Sequence, residues 1–310
     1  MKKKLSFADF PLEYYPEIAH NLPERLGYIR ECGFACIDFN ITMDYLGEDY
    51  ASRAAFVRKC LAEKGMTAPQ AHAPVINPFD ADCGDYMAVY SRTLRFCALA
   101  GIPQVVIHAG AVKGNTREEY FAKNAEFYRS LAPFAEETGT VILVENIGHP
   151  GDDNYLLVGA DIAEMLGRID HPLFAACWDT GHGNLNKQDL YSTVVTLGKR
   201  LRALHVHDNC AYFEPSYRHH RIDMHTTPFS TQYASVNYDA LLQGLCDIGY
   251  EGTFNFEVLT MTRSIRPAFT YGGEIVRKLE QPPISLWLKA NTLLYETGKY
   301  MLEAYGLFEE

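Results

Sequence analysis

The chain has 310 residues, 47% hydrophobic and 22% charged, with a formal net charge of −11. That is enough apolar material for a large core, and a surface this acidic disfavours binding to phosphate backbones. No apolar run approaches the roughly 18–20 residues of a membrane span, and the MKKKLSFADF start lacks the apolar stretch of a signal peptide. The eight cysteines are scattered with no CxxC pair, which fits a reducing cytoplasm better than a disulfide framework.

In chain order, short apolar runs alternate with helix-period segments. The runs are Leu5–Phe7, Phe34–Phe39, Thr67–His72, Gln104–His108, Val141–Glu145, Phe174–Asp179, Ala203–His207 and Thr253–Val258. From the second to the seventh their starts lie roughly 30–37 residues apart, the length of one βα unit. The segments between them predict helices over Pro16–Cys32, Asp49–Lys64, Asp85–Ala100, Thr116–Thr138, Ala160–Ile169, Lys187–Lys199, Asn237–Ile248 and Ser285–Tyr305. Thr116 and Glu119 form a capping-box pattern, and glycines follow several of the helices. Eight alternating pairs predict a (β/α)8 TIM barrel in a single domain over 1–310, with long loops at 210–236 and 260–283 at the catalytic end. An open sheet of eight parallel strands is the structural alternative. No GxGxxG or GxxxxGK[ST] follows a strand, against dinucleotide and P-loop readings.

Six runs carry an ionisable residue at or near their end: His72, His108, Glu145, Asp179, His205 and Glu257. A single such residue is ordinarily a rim hydrogen-bonder, a cap or a salt-bridge member. Six from converging strand ends would crowd one cavity, and unpaired buried charges cost several kcal/mol each. A divalent cation supplies the counter-charge. Mixed carboxylate and imidazole donors suit Mn or Zn, with Co, Fe and, less well, Mg as alternatives. His182 follows Asp179 by three residues and faces the same pocket if it opens a helix. Asp223 and His225, in HRIDMH, are further candidate metal ligands, although loop histidines are usually solvated. His207 shares the inward parity of His205, but lies beyond the expected strand end. Arg218 to Arg221 form a local positive patch that suits a phosphate or a sugar hydroxyl, or simply a solvated loop.

The motifs VENIG at Glu145, WDTGH at Asp179–His182, LHVHD at His205, DMH at Asp223–His225 and NFEV at Glu257 resemble the xylose isomerase-like TIM barrel superfamily. That group includes sugar and sugar-phosphate isomerases and epimerases, inosose dehydratase and the endonuclease IV family. The resemblance implies a divalent ion held by Glu145, Asp179, His205 and Glu257, with Glu145 and Glu257 as the catalytic acid/base pair. It implies a sugar hydroxyl contact for His182; His72 and His108, from their strand ends, and Arg221, from the positive patch, are further substrate-binding candidates. The expected function is metal-dependent isomerisation or epimerisation of a small sugar or sugar phosphate by proton transfer through an enediolate. The alternatives are an inosose dehydratase-like lyase and an endonuclease IV-like zinc phosphodiesterase. In endonuclease-like members further ligands, matching His72, His108, His182, Asp223 and His225, extend the site to three zinc ions. Against that reading, SFADFPLEYY has no histidine at the first strand end, and TTPFSTQYAS replaces a Gly-rich stretch. A homo-oligomer is expected by analogy alone.

Overall fold

The computed structural model describes residues 2–309 apart from 82, 112, 148–152, 211–222, 233, 263–268, 278 and 280. Eight parallel strands form the barrel: β1 Leu5–Ala8, β2 Cys36–Asn40, β3 Thr67–His72, β4 Gln104–Val106, β5 Val141–Glu145, β6 Phe174–Asp179, β7 Leu201–His205 and β8 Phe254–Phe256. Their order in the sheet is β7-β6-β5-β4-β3-β2-β1-β8. A parallel bridge between Val206 and Phe256 closes the ring, with Val206 N donating to Asn255 O and Glu257 N to Val206 O. The open-sheet alternative is thereby excluded.

The helices are α1 Leu22–Glu31, α2 Tyr50–Glu63, α3 Tyr86–Ala100, α4 Arg117–Thr138, α5 Gly159–Ile169, α6 Thr180–Leu185, α7 Leu190–Leu197, α8 Tyr238–Asp247 and α9 Ile284–Ala304. The Thr116–Glu119 capping box is present at the start of α4. Helix α1 starts later than the expected Pro16, because Asn21 caps it by accepting from Glu24 N and Pro23 occupies the first turn. The expected Lys187–Lys199 helix is shorter. Asp189 caps α7 from outside by accepting from Ser192 N, and Lys187 adopts a left-handed φ of 55° between α6 and α7. Strand β7 begins two residues before the expected Ala203, whereas β4 stops at Val106, two residues short of His108. The segment after β8 is not all loop: β9 Phe269–Tyr271 and β10 Glu274–Val276 form an exposed antiparallel hairpin.

The barrel interior is chemically two-sided. Val106, Val141, Leu143, Ala175, Cys177 and Ala203 make an apolar cluster on β4 to β7. Ser6, Asp38, Gln70 and Asn255, from β1, β2, β3 and β8, are all buried polar residues. Beside the mouth, Asp9 is fully buried against the Arg25 guanidinium, and its second oxygen accepts from Asn40 N at 2.7 Å. This fixes the backbone where β2 ends. None of the eight cysteines is disulfide-bonded. Among the described residues no helix is long and apolar enough to cross a membrane.

Candidate metal centre

The strand ends deliver their side chains to one cavity of about 590 Å³ whose lining includes His72, His108, Glu145, His182, Asp223, His225 and Glu257. Each donor is placed by local chemistry. Asn146, next to Glu145, grips the end of β6: its Nδ2 donates to Asp179 O at 2.9 Å, and Asp179 N donates to its Oδ1 at 2.7 Å. The Asp179 carboxylate then caps α6 by accepting from His182 N at 2.6 Å. The chain can turn this tightly only because residues 181 and 183 are glycines. A Cβ on Gly181 would lie 1.9 Å from the His207 ring, and one on Gly183 would lie 2.4 Å from Trp178.

Donor atoms of Glu145, Asp179, His205 and Glu257 lie within 4.8 Å of one another. These are the four residues that the motif resemblance implied as metal ligands. Two further groups meet the same limit: His72, His108 and Glu145, and His182, His207, Asp223 and His225. The structure thus brings together every described candidate from the sequence, and adds His207, which had been placed beyond its strand. Arg221, with the rest of the Arg218 to Arg221 patch, lies outside the described residues. Asp38 was not singled out from sequence, yet it lines the same cavity and meets His205. Its signal was a lone carboxylate inside an apolar run, CIDFN.

The hydrogen-bonding needs of these residues fit a cation. His205 Nε2 is 3.0 Å from Asp38 Oδ2, and its Nδ1 is 2.8 Å from Glu145 Oε1 and 3.2 Å from Glu257 Oε2. Carboxylates only accept, so each contact needs a proton or a cation between its atoms. His182 and His225 repeat the pattern. Their Nδ1 atoms face the Asn146 and Glu257 carbonyls at 2.8 and 2.9 Å, while both Nε2 atoms face Asp223 Oδ2, at 3.0 and 2.9 Å. Backbone carbonyls fix the Nδ1–H tautomer, which leaves Nε2 lone pairs directed at a carboxylate. Such a donor set fits a divalent ion, which takes the place of the second proton on each ring.

The titration behaviour follows from the same contacts. Burial disfavours the imidazolium of His225, but Asp223 and Glu257 outweigh it and raise the pKa to about 9. Burial likewise works against His182 and His205, yet neighbouring anions carry both well above the usual histidine range. The two candidate acid/base carboxyls are driven apart. Burial opposes ionisation of Glu145, but His205, His108 and His72 overcome it and hold its carboxyl well below the usual range. At Glu257 burial dominates and its pKa rises, despite His205 and His225.

A pH prediction follows. The folded pKa of His225 lies above its ordinary 6.5, so its contribution to stability is complete below that pH and is lost as pH rises through about 9. Metal-stripped protein should therefore lose melting temperature between these limits in a thermal-shift series. With saturating divalent ion the loss should persist if one ion sits on Glu145, Asp179, His205 and Glu257, and should vanish if the His182, His207, Asp223 and His225 group takes a further ion, since only a deprotonated ring ligates. A flat profile for the stripped protein would contradict the assignment.

This geometry defines a (β/α)8 barrel with a mixed carboxylate–imidazole centre at the C-terminal mouth of its strands. The chain belongs to the xylose isomerase-like TIM barrel family, whose model matches residues 26–278. It is similar to an uncharacterised protein, y4fM, of Sinorhizobium fredii, with 24% identity over 265 residues, covering 75% of this chain and 79% of that one. Its fold matches D-psicose 3-epimerase with D-tagatose from Clostridium cellulolyticum H10, at TM-score 0.69 and 15% identity, covering 96% and 99% of the two chains. It also matches the IolI protein with a bound zinc atom, at TM-score 0.68 and 17% identity, covering 97% of each chain.

Proposed function

We propose that the protein is a divalent-metal-dependent isomerase or epimerase acting on a small sugar or sugar phosphate by proton transfer. The observation that carries the reading is the convergence of Glu145, Asp179, His205 and Glu257 donor atoms within 4.8 Å, with Glu145 and Glu257 lining the cavity and Asp179 and His205 buried. Solved structures of the same fold include an epimerase with a ketose and a protein with zinc, and they support the choice. When bound, the ion supplies Lewis-acid polarisation of a ketose carbonyl; Mn or Zn suits the donors best.

The residues of the chain do the rest. Glu257, with its pKa raised by burial, removes the proton beside the carbonyl, and Glu145, held ionised by three imidazoles, carries the negative charge that the ion needs. On the return step Glu145, ionised at rest, relays a proton from the imidazole of His108, 3.0 Å from its Oε2, to the opposite face of the sugar, while Glu257 gives its proton to solvent. His182, His72 and His108 line the cavity and are placed to hold sugar hydroxyls. Turnover of ketoses in D2O tests the chemistry: the account expects one solvent deuterium at the inverted or isomerised carbon. Full retention of the substrate hydrogen would reject proton transfer through two separate carboxyls. Loss of water from the substrate would indicate the dehydratase alternative.

A second reading has its own observation. The groups His72, His108, Glu145 and His182, His207, Asp223, His225 could hold two more ions, which suits a phosphodiesterase using several metals to activate water. Metal analysis separates the two: about one tightly held ion per chain favours the epimerase, whereas three zinc ions with cleavage of abasic DNA favour the phosphodiesterase.

A further inference from the structure

Beneath the four-residue centre lies the polar half of the barrel interior, and one carboxylate organises it. Asp38 Oδ2 is 3.0 Å from His205 Nε2, accepts from Gln70 Nε2 at 2.8 Å and accepts from Asn255 Nδ2 at 3.1 Å. Asp38 is on β2 and His205 on β7, and β1 and β8 separate these strands in the sheet. Their contact therefore crosses the lumen of the barrel. All four residues are buried.

We propose that Asp38 is a positioning residue for the metal: it accepts the Nε2 proton of His205 and so directs the Nδ1 lone pair toward Glu145 and Glu257. This rests on the reading of the site as a metal centre given above. Without Asp38 the carboxylate that holds a proton on Nε2 is gone. The ring would then gain more by placing its proton on Nδ1, 2.8 Å from Glu145 Oε1, and that tautomer cannot ligate through Nδ1. A buried carboxylate behind an imidazole also strengthens the ring as a donor. The two amides, one from each neighbouring side of the barrel, hold the accepting oxygen on the line to His205. Among the described residues Asp38 Oδ1, Gln70 Oε1 and Asn255 Oδ1 have no hydrogen-bond partner, so all three donated protons converge on a single oxygen.

The test is Asp38→Asn in the full chain, read by Mn2+ affinity in competition with a fluorescent chelator. The substitution keeps the size of the side chain, and the unpartnered oxygens of Gln70 and Asn255 can turn to accept from the new amide. The expected result is a Mn2+ affinity about 10- to 100-fold weaker. Wild-type affinity in the variant would overturn the proposal. A second measurement needs no variant: long-range 1H–15N spectra of the Zn2+-loaded wild type should show His205 coordinated through Nδ1 and protonated on Nε2. Coordination through Nε2 would overturn the proposal even if Asp38→Asn failed to fold. A wild-type chain that binds neither ion would instead overturn the metal centre itself.

Discussion

Glu257→Gln should lower kcat by about 10²- to 10⁴-fold, the range associated with loss of a positioned acid or base. The side chain keeps its length and one oxygen, so sugar binding should persist while the proton-accepting oxygen is gone. Steady-state kinetics with saturating Mn2+, accompanied by metal analysis of the same sample, check this. A variant that keeps its ion but loses turnover places Glu257 in the chemistry. A variant that loses both reports mainly on ligation, and turnover near wild type would reject the role altogether. Of the two carboxyls Glu257 is the more informative choice. Burial raises its pKa, whereas the three imidazoles facing Glu145 make that residue the anion of the pair at rest.

Gly181→Ala should be the most damaging single methyl that can be added near the site. The new Cβ would lie 1.9 Å from the His207 ring, and that ring is fully buried and cannot retreat toward solvent. It stacks on His225 with centroids 3.9 Å apart, and its backbone N donates to Thr180 Oγ1 at 3.1 Å. Overpacking of this kind costs roughly 1–3 kcal/mol, occasionally more, and here it also displaces α6 with His182. Chemical denaturation should show the stability loss, and the variant should lose affinity for divalent ion. A variant as stable as wild type and equally loaded would show that the Asp179–His182 turn is looser than the contacts imply.

Much of the fold is legible in the sequence because a barrel strand buried on both faces announces itself as a short β-branched run with a polar end. The runs ending at His72, Glu145 and Asp179 match β3, β5 and β6 residue for residue. Where the reading slipped, a local contact had outvoted periodicity. Asn21 and Pro23 delayed α1, and Asp189 restarted the chain as α7 after the left-handed Lys187. The hairpin β9–β10 carries no such pattern, because its strands are exposed and pair only with each other.

The site divides along the same line. Strand-end position marked Glu145, Asp179, His205 and Glu257, and all four meet in space. Two residues were harder to read for a physical reason. The place of Asp38 depends on what faces it across the lumen, and neither the parity nor the composition of β2 says that His205 of β7 does so. The place of His207 depends on the turn through Gly181, which opens room for its ring against Asp179, at 3.0 Å. The first is a contact across the lumen between residues 167 apart in sequence, and the second is set by a turn beyond the strand end; a one-dimensional pattern records neither.

The central claim is that carboxylates and imidazoles crowd this mouth because a divalent cation joins them. Elemental analysis of the full chain, purified without chelator and dialysed against Mn2+ or Zn2+, tests it most directly. At least one ion per chain, reduced when Asp179→Ala removes a ligand, is the result expected. Protein that arrives with no divalent ion, and takes up none, would contradict it.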